Sequence, residues 1–197
     1  MSRIRFLPFF VILFCASSAP SPGHTHPHIW IDAVATFVFA DSKLTALRIQ
    51  WTFEEFFSQA LRDQFDPDKT GRFSGKALED LRADANRGLK EFNWFTHLKI
   101  GGKKLTITEG TDFTAAIEGD KVVYRFIVPI APPVDPVTTP VTLSLYDQSF
   151  YIDVELAKQN PVRMEGATPC KTAVVVDKAN PLYYGMFFPQ RIDLQCT

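Results

Sequence analysis

Three of the four histidines in the chain fall within five residues: His24, His26 and His28, in the segment GHTHPHIW. In an extended chain, residues two apart point to the same side, so His26 and His28 can face one ion with His24 nearby. Imidazole nitrogen is a favoured ligand of zinc, nickel, cobalt and copper. The cluster predicts a site for a divalent transition metal, and the alternative is a polar, frayed N-terminus.

A metal site built on these histidines needs a further donor from the folded part of the chain. His97 is one candidate, in the segment FTHLKI of a predicted strand, although a lone histidine on a strand is more often structural or exposed. Asp32 is a second candidate, because it lies on the same alternating face as His26 and His28. The predicted metal site therefore comprises His26, His28, His97, His24 and Asp32.

The first residues have the pattern of an export signal. Arg3 and Arg5 precede an apolar run over residues 6–16, and small residues and prolines follow as far as Gly23. This order is typical of a cleaved signal peptide, and the apolar run is too short to span a bilayer. We predict a signal peptide at 1–23 and a periplasmic domain at 24–197 that keeps no stable membrane anchor.

The cleavage position bears on the metal chemistry. Ser21 and Gly23 suit a cut before His24, whereas Ala16 and Ser18 suit a cut before Ala19. A cut before His24 lets its new amine and its imidazole chelate one metal together, an arrangement that suits copper. A cut before Ala19 leaves the histidines on a short tail.

Export also bears on the cysteines. Removal of residues 1–23 deletes Cys15 and leaves Cys170 and Cys196. A pair of cysteines in an exported chain predicts one disulfide bond, and the alternative is two free buried thiols.

The loop after residue 65 resembles the opening of a calcium-binding EF-hand. Asp66, Asp68 and Thr70 occupy the first three oxygen-donor positions, and Gly71 follows at the sixth position. The twelfth position holds Ala77 in place of the glutamate that closes such a site. The pattern favours an ordinary turn over a calcium site.

Elements that position these residues follow from periodicity. Residues 28–40 and 44–52 alternate as a β-hairpin. Residues 53–93 have the spacing of a helical hairpin, with Phe56 in the apolar stripe of its first helix. The chain after residue 94 consists of predicted strands, among them a hairpin whose second strand covers residues 104–109. Among the later strands, residues 141–147 are expected to pair with residues 149–156 across a turn. The predicted fold class is α+β: mostly antiparallel β-sheet with one inserted helical hairpin at about 53–93 in a single domain.

Charge and motifs limit the function. The net charge is −1, and becomes −3 when Arg3 and Arg5 are removed with the signal. No run of like charge indicates nucleic acid or an anionic membrane surface. No His-Glu-x-x-His or Gly-x-Ser-x-Gly motif is present, so enzymatic activity is not predicted. A copper or zinc enzyme at the N-terminal histidines and a metal-free interaction module that uses the aromatic run at 183–188 remain the alternatives.

Several segments in order resemble one bacterial family. They are HPHIWID, WTFEEFFS, FDPDKTGRFS, NWFTHLKI, LYDQSFYIDV and the two late cysteines. The chain is similar to a family of unknown function often labelled the periplasmic component of an uncharacterised ABC-type transport system, with members beside or fused to nickel/cobalt-type permeases. The resemblance implies a protein that handles a divalent transition metal for an inner-membrane permease. It matches the family's histidine motif to His26 and His28, and His97 to the Phe-Thr-His segment, whereas the calcium-like loop departs from the family pattern.

Overall fold

The structure is a computed structural model and describes residues 28–166 and 169–197. It confirms an α+β fold in which β-strand is the main secondary structure and two helices stand between the second and third strands. The helices are α1 (Glu55–Phe65) and α2 (Gly75–Leu89), followed by a 3-10 segment at Lys90–Phe95. The strands are β1 (Ile29–Ala40), β2 (Lys43–Phe53), β3 (Thr96–Ile100), β4 (Lys103–Lys104), β5 (Thr111–Glu118), β6 (Lys121–Val134), β7 (Val141–Leu145), β8 (Ile152–Leu156), β9 (Val162–Glu165), β10 (Cys170–Val176) and β11 (Gln190–Cys196).

The strands form two sheets. The first has the order β5-β6-β2-β1-β8, and β9 pairs with the part of β1 beyond β8. The second has the order β10-β11-β7-β3-β4. Strands β8 and β9 run parallel to β1, whereas the other pairs are antiparallel. The edge strand β4 has only two residues, Lys103 and Lys104, whereas the pattern predicted a strand as far as residue 109.

The predicted hairpin of β1 and β2 is confirmed. Alternate residues of β1, including Ala33, Ala35 and Phe37, are fully buried, and the residues between them are mostly more exposed. The turn contains Asp41 and Ser42, both with positive φ, of 49° and 60°. Positive φ at both central residues is the type I′ geometry that matches the twist of paired strands.

The predicted helical hairpin is confirmed, but it begins two residues later than the spacing suggested. Phe53 is the last residue of β2 and is buried in the core. The side chain of Glu54 accepts hydrogen bonds from the backbone N–H groups of Phe56 and Phe57, and thus caps α1. Phe56, expected in the buried stripe, is 83% exposed, because the capped first turn directs it to solvent.

The predicted pairing of residues 141–147 with 149–156 is wrong. Strand β7 pairs with β3 and β11 in the second sheet, and β8 pairs with β1 in the first. A hairpin would need a tight turn at residues 147–148. The Asp147 carboxylate accepts instead from the N–H groups of Ser149, Tyr151 and Ile152, so the connection folds on itself and carries the chain to the other sheet.

One hydrophobic core unites both sheets and the helices. Its centre is a group of aromatic rings, in which Trp51 lies 4.9 Å from Phe126 and 5.8 Å from Phe95, measured between ring centroids. Trp94 lies 4.7 Å from Phe126 by the same measure. Edge-to-face and tilted ring pairs at these spacings stabilise a core beyond the area that they bury.

Candidate functional site

His28 is the first residue that the structure describes, and it is fixed to the connection between β7 and β8. Its backbone N–H donates to the carbonyl oxygen of Tyr151 at 2.8 Å. Its imidazole lies against the Tyr151 ring, with 4.6 Å between centroids. The side chain is exposed, so the segment that carries the histidine cluster enters the fold with an imidazole at the surface.

His24 and His26 lie outside the described residues, as do the predicted signal peptide and its two cleavage sites. The predicted pairing of these imidazoles on one ion stays a prediction.

His97 lies on β3 and is held at the other end of the same connection. Its Nε2 is 2.9 Å from the carbonyl oxygen of Tyr146, and its ring stacks on the Tyr146 ring at 3.7 Å between centroids. A carbonyl oxygen only accepts, so Nε2 carries the proton and the Nδ1 lone pair is left for another partner. Burial lowers the pKa of His97, and the hydrogen bond from the ring to Tyr146 only partly opposes it. The ring is therefore neutral at pH 7, which is the form that binds metals.

Asp147 holds the connection from Tyr146 to Tyr151 in shape. Its side chain is 3% exposed, and its oxygens accept from the hydroxyl of Ser149 at 2.7 Å and from the Ile152 N–H at 3.1 Å. The two histidines that the structure describes thus contact opposite ends of one loop, from Tyr146 to Tyr151, which the Asp147 hydrogen bonds hold in place.

Asp32 belongs to a different group of side chains. It pairs with Thr52 across β2 and with Glu155 across β8. A shallow cleft of about 90 Å³ on this part of the first sheet is lined by Asp32 together with Glu54, Asp153, Glu155 and Lys121. No histidine lines that cleft among residues 28–166 and 169–197, so the structure places this candidate ligand among carboxylates.

Asp153 was not singled out from the sequence. Burial, and secondarily the charge of Glu155, raises its pKa to about 6. The alternation of Asp153 and Glu155 was visible in the sequence, but their position beside Trp30 and Asp32 depends on the parallel pairing of β8 with β1. Carboxylates crowded on one face repel each other when ionised, which is why the charge of Glu155 favours the protonated form of Asp153.

In the part of the chain that the structure describes, no group of three or more histidine, cysteine, aspartate or glutamate side chains is arranged to hold a metal ion.

The calcium-like loop has the geometry of a turn. The Asp66 carboxylate accepts from the N–H and the hydroxyl of Thr70 at 2.8 and 2.7 Å, and from the Gly71 N–H at 2.8 Å. These hydrogen bonds lower the pKa of Asp66, against the effect of burial. Both of its oxygens are occupied by the loop itself, and Asp68 is exposed. Gly71, with φ of 76°, supplies the left-handed conformation that the turn requires.

The predicted disulfide is confirmed. Cys170 and Cys196 are directly opposite each other at the ends of β10 and β11, and their sulfurs are bonded. Among residues 28–166 and 169–197, no helix is sufficiently long and apolar to cross a bilayer.

The fold and the site define a small α+β protein with two sheets, a helical hairpin and a histidine-bearing N-terminal segment fixed to an inter-sheet loop. The chain belongs to the family described as protein of unknown function, DUF1007, whose profile matches residues 11–183. It is 33% identical over 119 residues to an uncharacterised 15.5 kDa protein in the trpE 3' region of Spirochaeta aurantia, covering 60% of this chain and 84% of that one. It is 22% identical over 191 residues to an uncharacterised protein of Haemophilus influenzae, covering 87% of this chain and 91% of that one.

Proposed function

We propose that this protein is a periplasmic accessory protein that binds one divalent transition-metal ion through its N-terminal histidines and supplies it to an inner-membrane permease. The observation that carries the proposal is the loop from Tyr146 to Tyr151. His97 contacts its first residue and His28 its last. The loop thus connects His28, the last residue of the histidine segment, with a neutral imidazole of the folded domain.

The environment of His97 suits a metal ligand. Histidines that bind metals usually donate their other ring N–H to a carbonyl or a carboxylate, which fixes the ring and the tautomer. His97 donates from Nε2 to the Tyr146 carbonyl and is stacked on the Tyr146 ring. Nδ1 is then the atom that would bind the ion, with His26 and His28, and with His24 nearby. Imidazole ligands suit Zn²⁺, Ni²⁺, Co²⁺ or Cu²⁺.

Calorimetric titration of the processed protein with Zn²⁺ and Ni²⁺ tests the binding. We expect one ion per chain, and a loss of affinity of at least 100-fold when His26→Ala and His28→Ala are combined. His97→Ala removes a proposed ligand and is expected to weaken binding at least about 10-fold, because even a group that only orients a ligand contributes about 10- to 100-fold. Gln59→Ala, at an exposed position of α1, is the control. Unchanged binding in the double variant would reject the proposal, and mass spectrometry of the exported protein would show whether His24 is its first residue.

The transport role has a separate test. Uptake of radioactive Ni²⁺ is measured in bacteria that carry a nickel/cobalt-type permease, with and without this protein. Lower uptake without it, and equally low uptake with the double histidine variant, is the expected result. Equal uptake in all strains would reject the transport role. It would not bear on metal binding, which the titration tests separately.

A metal-free docking module is the second candidate, because the aromatic run at 183–188 is exposed. Tyr184 is 97% exposed, and Met186 and Phe188 are 57% and 45% exposed. The run is ordered rather than loose: the Leu182 N–H donates to the Phe187 carbonyl at 2.8 Å, and the Phe187 ring stacks on Phe150 at 4.2 Å. Apolar side chains held at the surface in this way are typical of interaction sites.

The variant Tyr184→Ser/Phe188→Ser separates the two candidates. Under the metal-free docking function, wild type binds no metal in the titration, and the variant lowers metal uptake in cells. Retention of full uptake would reject docking through this run.

A further inference from the structure

Strand β8 is the last strand at one side of the first sheet, and it borders a groove of about 340 Å³. We call this the β8 groove. One wall contains every residue of the strand, Ile152–Leu156, and the other contains Leu182 and residues 187–190. Because side chains alternate between the two faces of a strand, a wall that includes each residue in turn lies along the edge of the strand rather than over one face.

The hydrogen bonds of the backbone show which groups of β8 face this groove. Ala157, one residue beyond the strand, donates its N–H to the carbonyl oxygen of Ala33 in β1 at 2.9 Å. Backbone groups of successive residues point to opposite edges of a strand, so those of Leu156 and Val154 face away from β1. Neither residue has a hydrogen bond on that side within the described part of the chain. The edge thus presents the N–H and C=O groups with which a further strand pairs.

Two carboxylates at this edge lack partners of opposite charge. Asp153 and Glu155 line the groove, and neither has a hydrogen bond or an ion pair with another residue that the structure describes. No lysine or arginine lines the groove in the same part of the chain. Lys121 lines the adjoining cleft, where it stands among four carboxylates. A strand that pairs with this edge therefore meets an excess of negative charge.

This charge excludes a second copy of the chain as the partner. Antiparallel pairing of β8 with itself about Val154 would place Asp153 opposite Glu155 of the other copy, twice in each symmetric dimer. A shift of the register by two residues in either direction would place one of these acids opposite itself. Like charges directly opposite each other on paired strands are destabilising, whereas opposite charges are stabilising. The edge therefore favours a strand with basic side chains.

We propose that the β8 groove binds an extended segment of a partner protein as an added antiparallel strand, with lysine or arginine at alternate positions and apolar residues between them. The backbone of the segment pairs with Val154 and Leu156, and its basic side chains lie opposite the two carboxylates. In an antiparallel pair, these are the positions without hydrogen bonds, at which side chains are closest. The apolar side chains lie on the same face as Val154, and the groove offers them Phe187 and Phe188. This binding needs no metal ion, so it and the proposed metal site can each fail without the other.

A fluorescent peptide of alternating lysine and valine, blocked at both ends, is the probe. Its anisotropy is measured with the full processed protein in the presence of EDTA, so that metal ions do not contribute. We expect saturable binding of one peptide per chain. A peptide with glutamate in place of each lysine is expected not to bind. A peptide methylated on its valine nitrogens keeps the charge but loses the N–H groups that pair with β8, and is expected to bind at least 10-fold more weakly.

Charge variants of the protein test the two carboxylates. Asp153→Asn combined with Glu155→Gln is expected to weaken binding of the lysine peptide about 3- to 10-fold, which is within the range of two cross-strand charge pairs. Asp41→Asn combined with Asp120→Asn removes the same charge from two exposed turns and is the control. This control is expected to bind the peptide as wild type does.

A third pair of variants tests the edge itself. Leu156→Pro removes an N–H that faces the groove and none that bonds to β1, a place at which a strand accepts proline. It is expected to weaken binding about 10-fold, whereas Leu156→Ala keeps the N–H and is expected to stay within about 3-fold of wild type. Thermal unfolding verifies that each variant folds, and the methylated peptide tests the same pairing if Leu156→Pro does not.

Four results would each overturn the proposal. They are absence of saturable binding by wild type, equal binding of the methylated and unmethylated peptides, equal weakening by the two pairs of charge variants, and equal weakening by Leu156→Pro and Leu156→Ala. Equal binding of the two peptides would reduce the effect to attraction between charges. Sedimentation of wild type alone is expected to show no dimer through this edge, and dimers that disappear in folded Leu156→Pro would assign the edge to a second copy instead.

Discussion

Replacement of Asp153 by asparagine is expected to stabilise the protein at neutral pH and to leave its stability unchanged in acid. Asp153 lies on β8 opposite Trp30 of β1. Burial, together with the neighbouring charge of Glu155, raises its pKa from an ordinary value of 3.8 to about 6. The folded protein thus holds the Asp153 proton more tightly than the unfolded chain does.

The sign follows from proton linkage. A carboxyl group whose pKa is raised by folding stabilises the fold below its unfolded pKa, and that contribution is lost as the pH rises through the folded pKa. The difference between the pKa values of 3.8 and about 6 corresponds to a loss of about 3 kcal/mol in the free energy of unfolding between pH 4 and pH 7. Because the group is only partly buried, solvent screening reduces this, and we expect roughly 1 kcal/mol.

The assay is urea unfolding followed by tryptophan fluorescence at pH 4.0 and pH 7.5. Asp153→Asn is expected to raise the free energy of unfolding by about 1 kcal/mol at pH 7.5, which corresponds to about 2–4 °C in melting temperature for a domain of this size. At pH 4.0, the difference from wild type should fall to about a fifth, because the native carboxyl is protonated there and the unfolded one, with a pKa of 3.8, is only partly ionised.

Two variants provide controls for this experiment. Glu155→Gln removes the neighbouring charge and should lower the pKa of Asp153. The stability of this variant should therefore fall less than that of wild type as the pH rises. Asp120→Asn changes a carboxylate in an exposed turn and should give no comparable gain at pH 7.5. An equal effect of Asp153→Asn at both pH values, or a loss of stability at pH 7.5, would refute the reasoning.

Three further changes test the fold by urea unfolding. Joint replacement of Cys170 and Cys196 by alanine should lower the free energy of unfolding by roughly 3 kcal/mol, and addition of a reductant should then have no further effect. Glu54→Ala should lower it by about 1 kcal/mol through loss of the α1 cap, and an unchanged value would show that the cap is not stabilising. Gly110→Ala should lower it by about 2 kcal/mol, because the new Cβ stands 2.9 Å from atoms of Phe126 and Trp94, whereas a gain would show that the core has room there.

Local pattern was sufficient for the elements whose partners are near in sequence. Alternation predicted β1 and β2, which pair through a two-residue turn at Asp41 and Ser42. Spacing of apolar residues predicted α1 and α2, because each helix buries one stripe against the sheets. The error at Phe56 is local as well, since the spacing included it while the Glu54 cap fixed the start of the helix.

Pairing between distant segments could not be predicted in the same way. Strands β7 and β8 are neighbours in sequence, and nothing in their alternation shows that they belong to different sheets. What separates them is the bonding of the Asp147 side chain to three following N–H groups, including that of Ile152. The parallel register of β8 on β1 then brings Glu155 beside Asp32, two residues more than 120 positions apart in the chain.

The same limit applies to the proposed metal site. The histidines at 24, 26 and 28 could be grouped from the sequence because they are close along the chain. The contact of His97 with the loop that also holds His28 could not be predicted in this way. It depends on the pairing of β3 with β7, which places His97 opposite Ser144, and on the fold of the connection from Tyr146 to Tyr151, whose ends contact the two histidines.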